Sequence, residues 1–429
     1  MKPSGIEWIG DIPDDWEVRK ITTLLDNIGS GTTPPNNTDF YENGIIPWLN
    51  TGDLTDNYVD LIENKITEYA LNQYSALKIF PKDSVVIAMY GATIGKLGIL
   101  RESASTNQAC CVMQCNDNLY FKFLFYSLYG YREYILTLSY GSGQPNISQK
   151  IIKDLRLPTP PLKTQQRIAD YLDEKCGEID ATIAKQKESI EKLKAYKQSL
   201  ISETVTKGLD KSAPLKPSGI EWIGNIPDDW EVTKISRLYS IQLGKMLQPE
   251  KKSSGDTYEP YICAANLSSG TFRLDEVKYM WISEPEKDIY RLKRDDLLVT
   301  EGGDVGISSI WKDDISPCYF QNALHRVVPK KGSSNRFLHY WLIVLKSVGY
   351  IDLICNKSTI AHFTKEKFAQ SLILSIPLQT QEKIADYLDS KCSQIDKYIT
   401  EKQNIIQKLD AYKKSLIFEC VTGKRDLWV

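Results

Sequence analysis

Residues 2–21 read KPSGIEWIGDIPDDWEVRKI and residues 216–235 read KPSGIEWIGNIPDDWEVTKI, identical at 18 of 20 positions and 214 residues apart. A second pair follows at an offset of 216. PLKTQQRIADYLDEKCGEID (161–180) matches PLQTQEKIADYLDSKCSQID (377–396) at 14 of 20 positions. Between these anchors, segments 22–150 and 236–366 share little beyond scattered glycine and asparagine positions. The chain is therefore two half-molecules, each an opening motif, a variable globular segment and a near-constant tail. Two copies of so long a unit do not make a solenoid.

The tails carry a helical period. Ala169, Leu172, Cys176, Ile179, Ile183, Gln186, Ile190, Leu193, Lys197 and Leu200 recur in alternating steps of three and four. The second tail repeats the pattern with Ala385, Leu388, Cys392, Ile395, Ile399, Lys402, Ile406, Leu409, Lys413 and Leu416. Such a seam can be ordinary core packing, but its length and duplication favour an intramolecular helix pair. At 1.5 Å per residue, a seam from 169 to 200 spans roughly 48 Å. The polar positions Gln186 and Lys402 are equivalent and would fix register. Pro161 and Pro377 precede the helices, Thr164 and Thr380 are the expected N-caps, and Gly208 and Gly423 follow the last turns.

The interiors read as mixed α/β. Val85–Ala88 and Leu297–Val299 are expected as buried strands closed by glycine loops, and Phe121–Tyr126 and Phe337–Leu345 as helices packed on the sheets. The expectation is an α+β fold with two mixed α/β domains separated by two long antiparallel coiled-coil-like helices, in a pseudo-two-fold internal repeat. The first globular domain is expected at 1–160, its helix at 161–210, the second domain at 211–376 and its helix at 377–429.

Composition bounds the function. Of 429 residues, 42% are apolar and 25% charged, and the net charge is −2, so collagen-like and disordered classes fall away. Nine scattered cysteines without a CxxC pair indicate free thiols rather than a disulfide framework or zinc ribbon. The first residues show no signal-peptide core, and no run approaches a membrane span. A cytoplasmic protein is expected.

No catalytic constellation emerges. In YGATIGKLG (90–98), Leu97 stands where a phosphate loop needs Ser or Thr. The acids of Pro13–Lys20 are too close together for a nuclease's metal site, and a structural motif built around Trp16 and Trp230 fits better. Thr33-Pro34-Pro35-Asn36 and Thr159-Pro160-Pro161-Leu162 do not match an amino-methyltransferase's Asn/Asp-Pro-Pro-Tyr/Phe tetrapeptide. His325, His339 and His362 have no partner at ligand spacing. We expect no catalytic residue, no metal site and no enzyme activity from this chain alone.

The duplicated SGIEWIG-x-IP-x-x-WE motif and the linkers LPTPPLKTQQRIADYLD (157–173) and SIPLQTQEKIADYLD (375–389) resemble the specificity subunit of type I restriction–modification systems. The resemblance covers essentially the whole chain. Gln165-Gln166 and Gln381-Glu382 replace the commoner Glu-Gln pair, with an expected effect on local capping only. The resemblance implies two target-recognition domains that each read one half of a split double-stranded DNA sequence. It also implies helices that set half-site spacing and dock the modification subunits, adenine-N6 methyltransferases, two per chain. Restriction–translocation subunits are a further possible partner. The cofactors S-adenosylmethionine, ATP and magnesium would belong to those partners, with none bound by this chain.

Divergent interiors between fixed anchors imply unlike half-sites, hence an asymmetric bipartite target. Net charge is −4 over 1–163 and +1 over 215–379, so phosphate binding is expected to be local. Candidate DNA-binding residues lie in polar, glycine-rich loops. In the first half they are Ser30, Thr32, Thr33, Asn50, Thr51, Tyr90, Thr93, Lys96, Ser142, Gln144 and Asn146. In the second they are Lys245, Asn266, Gly303, Asp304, Lys357, Ser358, Thr359 and His362. Asparagine and glutamine suit adenine, and lysine suits guanine or phosphate. The helix-pair seam is expected at Leu172, Ile179, Ile183, Ile190, Leu193, Leu388, Ile395, Ile399, Ile406 and Leu409. The alternatives are a two-headed protein-interaction scaffold and a stand-alone DNA methyltransferase or nuclease.

Overall fold

A computed structural model describes residues 1–139, 146–355 and 361–427. The chain forms two compact units, one of residues 1–187 with 403–429 and one of residues 188–402.

In the first unit, five strands form one sheet: β1 (Leu25–Gly29), β2 (Asn57–Val59), β3 (Val85–Ala88), β4 (Leu97–Leu100) and β5 (Cys110–Cys115). Their order is β1-β5-β3-β4-β2, antiparallel except for the β2–β4 pair. All four residues of β3 are buried, as its unbroken apolar run requires. Alternation sends Val85 and Ile87 to one core and Val86 and Ala88 to another. The first core is capped by α1 (Phe121–Gly130), which contributes Phe123, Leu124 and Leu128.

The second unit repeats the plan with four strands. They are β6 (Tyr239–Leu243), β7 (Leu297–Thr300), β8 (Ser308–Ile310) and β9 (Leu324–Pro329), in the order β6-β9-β7-β8. Helix α3 (Asn335–Ser347) packs Phe337, Leu338, Trp341 and Leu345 into that core.

Both expected long helices form: α2 (Leu162–Lys207) and α4 (Leu378–Val421). Within the first unit, Leu172, Ile179 and Ile183 of α2 share a core with Ile417 and Val421 of α4, flanked by Ile406 and Leu409. Within the second, Ile201 and Val205 share a core with Ile384, Leu388 and Cys392. Ile190 and Ile395 are buried, whereas Leu193 and Ile399 are half-buried. Lys413 Nζ lies 2.7 Å from Asp180 in the first unit, and Lys197 Nζ 2.7 Å from Asp396 in the second. Burial works against the ammonium of Lys413, but its hydrogen bond to Asp180 prevails and the pKa rises.

Thr164 and Thr380 are not N-caps. Each helix begins two residues earlier, at Leu162 and Leu378, and the threonine N–H groups donate to Pro161 O and Pro377 O inside the first turn. Proline supplies the start itself, because its fixed φ suits a first turn and it has no N–H to satisfy. Gly208 and Gly423 follow the helices at φ +75° and +70°. A Cβ on Gly423 would stand 2.4 Å from Pro13 Cδ, so glycine there admits the opening motif.

The opening motifs close back on the linkers. Glu17–Lys20 pairs antiparallel with Arg156–Thr159, and Glu231–Lys234 with Leu372–Ser375. Trp16 and Trp230 are buried, as expected of structural anchors. Among the described residues, no helix is long and apolar enough to cross a membrane, and no cluster of His, Cys, Asp or Glu is arranged to hold a metal.

Candidate nucleic-acid interface

The hairpin of β3 and β4 ends in the Tyr90–Gly95 turn. Ala88 N–H donates to Lys96 O (2.8 Å), and Gly95 N–H donates to Ala88 O (2.8 Å). In the second unit, Thr300 N–H donates to Ile307 O (2.9 Å) and Gly306 N–H to Thr300 O (3.0 Å). The same turn therefore closes β7 and β8, with Gly91 and Gly303 both left-handed at φ +83° and +76°.

Two further bonds repeat. Met89 N–H donates to Ala109 O (2.8 Å) and accepts, through its carbonyl, Ile147 N–H (2.7 Å). Glu301 does the same with Ala323 O (2.9 Å) and Phe363 N–H (2.8 Å). The residues bonded are different, yet the backbone frame is one frame built twice.

That frame gathers much of the expected first-half set. A Cβ on Gly31 would lie 1.7 Å from Thr106 O, so only glycine lets the chain after β1 run so close to the segment before β5. Gly31 N–H donates to Thr106 Oγ1, and Trp48 Nε1–H donates to Thr32 O. Thr33 Oγ1 meets Gln108 Oε1 at 2.7 Å, Asn107 Nδ2 donates to Asn50 Oδ1 at 2.9 Å, and Gln149 Nε2 donates to Ser30 Oγ at 2.7 Å. Tyr90 forms a backbone bridge with Asn146. Thr51 opens the short turn that Asn50 caps. Thr93 and exposed Lys96 lie in and just after the hairpin turn, where Lys96 N–H donates to Thr93 O. Asn107, Gln108 and Gln149 belong to this cluster but were not expected there. The polar run Thr106-Asn107-Gln108 between apolar strands is the signal that could have found the first two.

In the second unit the turn that holds Gly303 and Asp304 meets His362 at its first residues: a Cβ on Gly302 would stand 3.8 Å from the His362 ring. His362 Nδ1 is 3.3 Å from Glu301 Oε1. Asp304 is ion-paired with Lys346 at 2.6 Å. Two expectations need correction. Asn266 is not presented as a DNA-binding amide: its Oδ1 accepts Cys263 N–H in the turn where Asp53 accepts Asn50 N–H, so it is the counterpart of Asp53. Asn266 is buried, and its amide nitrogen donates to Arg273 O and Glu276 O, which leaves no donor for a base. Lys245 is buried too, its ammonium 2.6 Å from Glu286 Oε1 and 3.1 Å from Gln248 Oε1. That charge is spent inside the protein. Ser142, Gln144, Lys357, Ser358 and Thr359 lie outside the described residues.

Gln165 and Gln381 do more than local capping. Gln165 is fully buried; its Oε1 accepts Tyr120 N–H, and its Nε2 donates to Asn118 O and Pro160 O. Gln381 makes the same three bonds with Ser334 N–H, Gly332 O and Ile376 O. These amides lock α1 and α3 to the starts of α2 and α4. The sequence held the clue: this glutamine is identical in both copies, while the next residue changes from Gln166 to Glu382.

Comparison with known proteins gives a consistent result. A family model described as the type I restriction modification DNA specificity domain matches residues 13–194 and 227–411. The chain is 24% identical over 431 residues to the type I restriction enzyme MjaVIII specificity subunit of Methanocaldococcus jannaschii, covering 96% of this chain and 93% of that one. It is 24% identical over 364 residues to the EcoBI specificity subunit of Escherichia coli, covering 81% and 74%. A solved structure of a type I restriction–modification system aligns with a TM-score of 0.74 at 17% identity, covering 97% of this chain and 100% of that one.

Proposed function

The chain belongs to the type I restriction–modification DNA specificity family, and from that membership we propose that it reads an asymmetric, bipartite duplex target for a multisubunit methyltransferase. Residues 1–160 and 211–376 serve as two reading heads, each recognising one half-site. The helical segments 161–210 and 377–429 set the spacing between half-sites and dock two modification subunits, which methylate adenine. The chain contributes recognition and no catalysis. S-adenosylmethionine, ATP and magnesium act on the partner subunits, and a restriction–translocation arm can join the same assembly.

The observation that carries this reading is the duplicated frame holding unlike loops. Bonds of Met89 recur at Glu301, while the residues carried on the frame change: Tyr90 gives way to Gly302, and the amide pair Asn107-Gln108 is reversed to Gln321-Asn322. Base edges are discriminated by hydrogen-bonding side chains, and phosphate contacts only position the protein. A duplicated frame whose loops differ suits two readers of different sequences. The sites nearest the frame, Ser30, Thr32, Thr33, Asn50, Tyr90, Asn146, Gly303, Asp304 and His362, are the proposed contact set. The weak net charge fits a reader whose electrostatic grip is shared with partner subunits.

Methylome sequencing of a host expressing this chain with its modification subunit tests the proposal. The expected result is one interrupted motif with two different halves. Methylation at a palindromic or uninterrupted motif, or none, refutes it. A gel shift in which the assembled complex shows no preference among random-sequence duplexes would favour the protein-scaffold reading.

A further inference from the structure

The chain after β6 turns outward in an unusual way. Leu243, Met246 and Leu247 are 41%, 75% and 50% exposed, three large apolar side chains within five residues. Isolated exposed apolar residues are ordinary, but a contiguous group is not. Their backbone is also tightly held. A Cβ on Gly244 would stand 2.3 Å from Gln321 O. Lys245 N–H donates to Phe320 O, and Lys245 O accepts Asn322 N–H. Below the tip, the buried Lys245 ammonium bonds Glu286 and Gln248, Gln248 Nε2 donates to Asp256 Oδ2 at 3.0 Å, and Trp281 N–H donates to Gln248 O.

Buried charges of this kind cost desolvation energy and give specificity of geometry in return. Here they fix the two residues flanking Met246 and Leu247 while leaving those side chains in water. The same segment, 320–324, bonds Glu301 of the proposed reading turn, so the tip stands beside that turn. Lys251 and Lys252 follow within the same loop and are exposed, with Lys251 Nζ 5.2 Å above the Trp281 ring. In the first unit the positions matching Met246 and Leu247, counted from Gly31 and Gly244, are Thr33 and Pro34. Pro34 is buried and Thr33 bonds Gln108, so the apolar tip belongs to the second unit alone.

We propose that Met246 and Leu247 form a wedge that enters a groove of duplex DNA and partly unstacks one base step in the half-site read by the second unit. The inference rests on the DNA-reading function proposed above. The exposed lysines that follow the tip, Lys251 and Lys252, choose DNA as its occupant, because they can supply phosphate contacts next to an inserted apolar group. Unstacking costs free energy that depends on the step, so the wedge adds sequence preference without hydrogen bonds to bases.

The probe is a duplex selected from random sequence by the intact chain with its modification subunit, carrying 2-aminopurine at successive positions. Exchange of 236–366 identifies which half-site the second unit reads. Wild-type binding is expected to raise 2-aminopurine fluorescence at one step of that half-site. The double variant M246A/L247A is expected to melt at the wild-type temperature, bind roughly tenfold more weakly and lose the fluorescence rise. K251A/K252A is expected to weaken binding with a smaller salt slope while keeping the fluorescence rise. Failure to enrich any sequence overturns the DNA reading and the wedge with it. Enrichment by wild type with undiminished fluorescence in M246A/L247A overturns the wedge alone. So does a variant that retains the fluorescence rise but no longer holds the modification subunit, which would assign the tip to a protein contact.

Discussion

The phenol of Tyr126 donates to Asp173 Oδ1 at 2.7 Å, and it ties α1 to the first third of α2. Lys122 completes the carboxylate at Oδ2. In the second unit Tyr340 donates to Asp389 Oδ1 at 2.6 Å, with Arg336 on the other oxygen. Burial, and then the hydrogen bond to the carboxylate, push both phenol pKa values up, so neither ionises in the physiological range. Each pair joins a variable domain to its constant helix, and each therefore bears on how firmly a head is carried.

Tyr126→Phe should remove a buried hydrogen bond to a charged group at a cost of about 1–2 kcal/mol. For a unit of this size the first unit's melting temperature should fall by roughly 3–6 °C. Tyr340→Phe should do the same to the second unit. Calorimetry of the two single variants and the double variant checks both the size and the independence of the effects, which should add because the sites share no partner.

Gly31→Ala and Gly244→Ala should each disrupt one frame only. The added methyl carbon would sit 1.7 Å from Thr106 O in one case and 2.3 Å from Gln321 O in the other, and backbone must move to admit it. Methylome sequencing should show relaxed specificity at one half-site for Gly31→Ala and at the other for Gly244→Ala. Unchanged motifs in both variants would remove these loops from the reading set.

Acid should weaken the second unit. His325 is fully buried in β9, its Nε2–H donates to Phe363 O at 2.8 Å, and Nδ1 has no partner among the described residues. Burial lowers its pKa below the ordinary histidine value. The unfolded chain therefore binds a proton in the range below about pH 6.5 where the folded unit does not. Stability is fully present above that pH and is lost as pH falls toward the depressed folded value. Melting scans between pH 7.5 and 5 should show this slope. His339 of the same unit, which burial lowers to about 4, adds to it in the same direction, so His325→Gln, which keeps a donor but cannot titrate, should reduce the slope without abolishing it.

Lengthening the long helix should change spacing, not sequence. One extra helical turn near Gln186 adds about 5.4 Å of rise. The methylated motif is expected to gain spacer while both half-sites stay as they were. An altered half-site with an unchanged spacer would contradict a role for the helices in spacing.

Much of this architecture could be read from residues alone. An 18-of-20 identity between two 20-residue stretches states the duplication outright, and a seam such as Leu172, Cys176, Ile179 and Ile183 has only one periodic solution, because a helix is a local structure with a fixed repeat. The run Val85–Ala88 likewise leaves little but a doubly buried strand. What sequence could not assign was the partner of each polar group. Asn266 reads like a base-binding amide in the chain but sits where Asp53 sits, with its donors on backbone carbonyls. Lys245 reads like a phosphate ligand but is neutralised by Glu286, 41 residues away, and Gln165 reads like a cap but bridges three backbone groups. A hydrogen bond or ion pair is decided by a few tenths of an ångström between segments distant along the chain. Period and identity are properties of one strand of text, whereas partnership exists only once the strands have met.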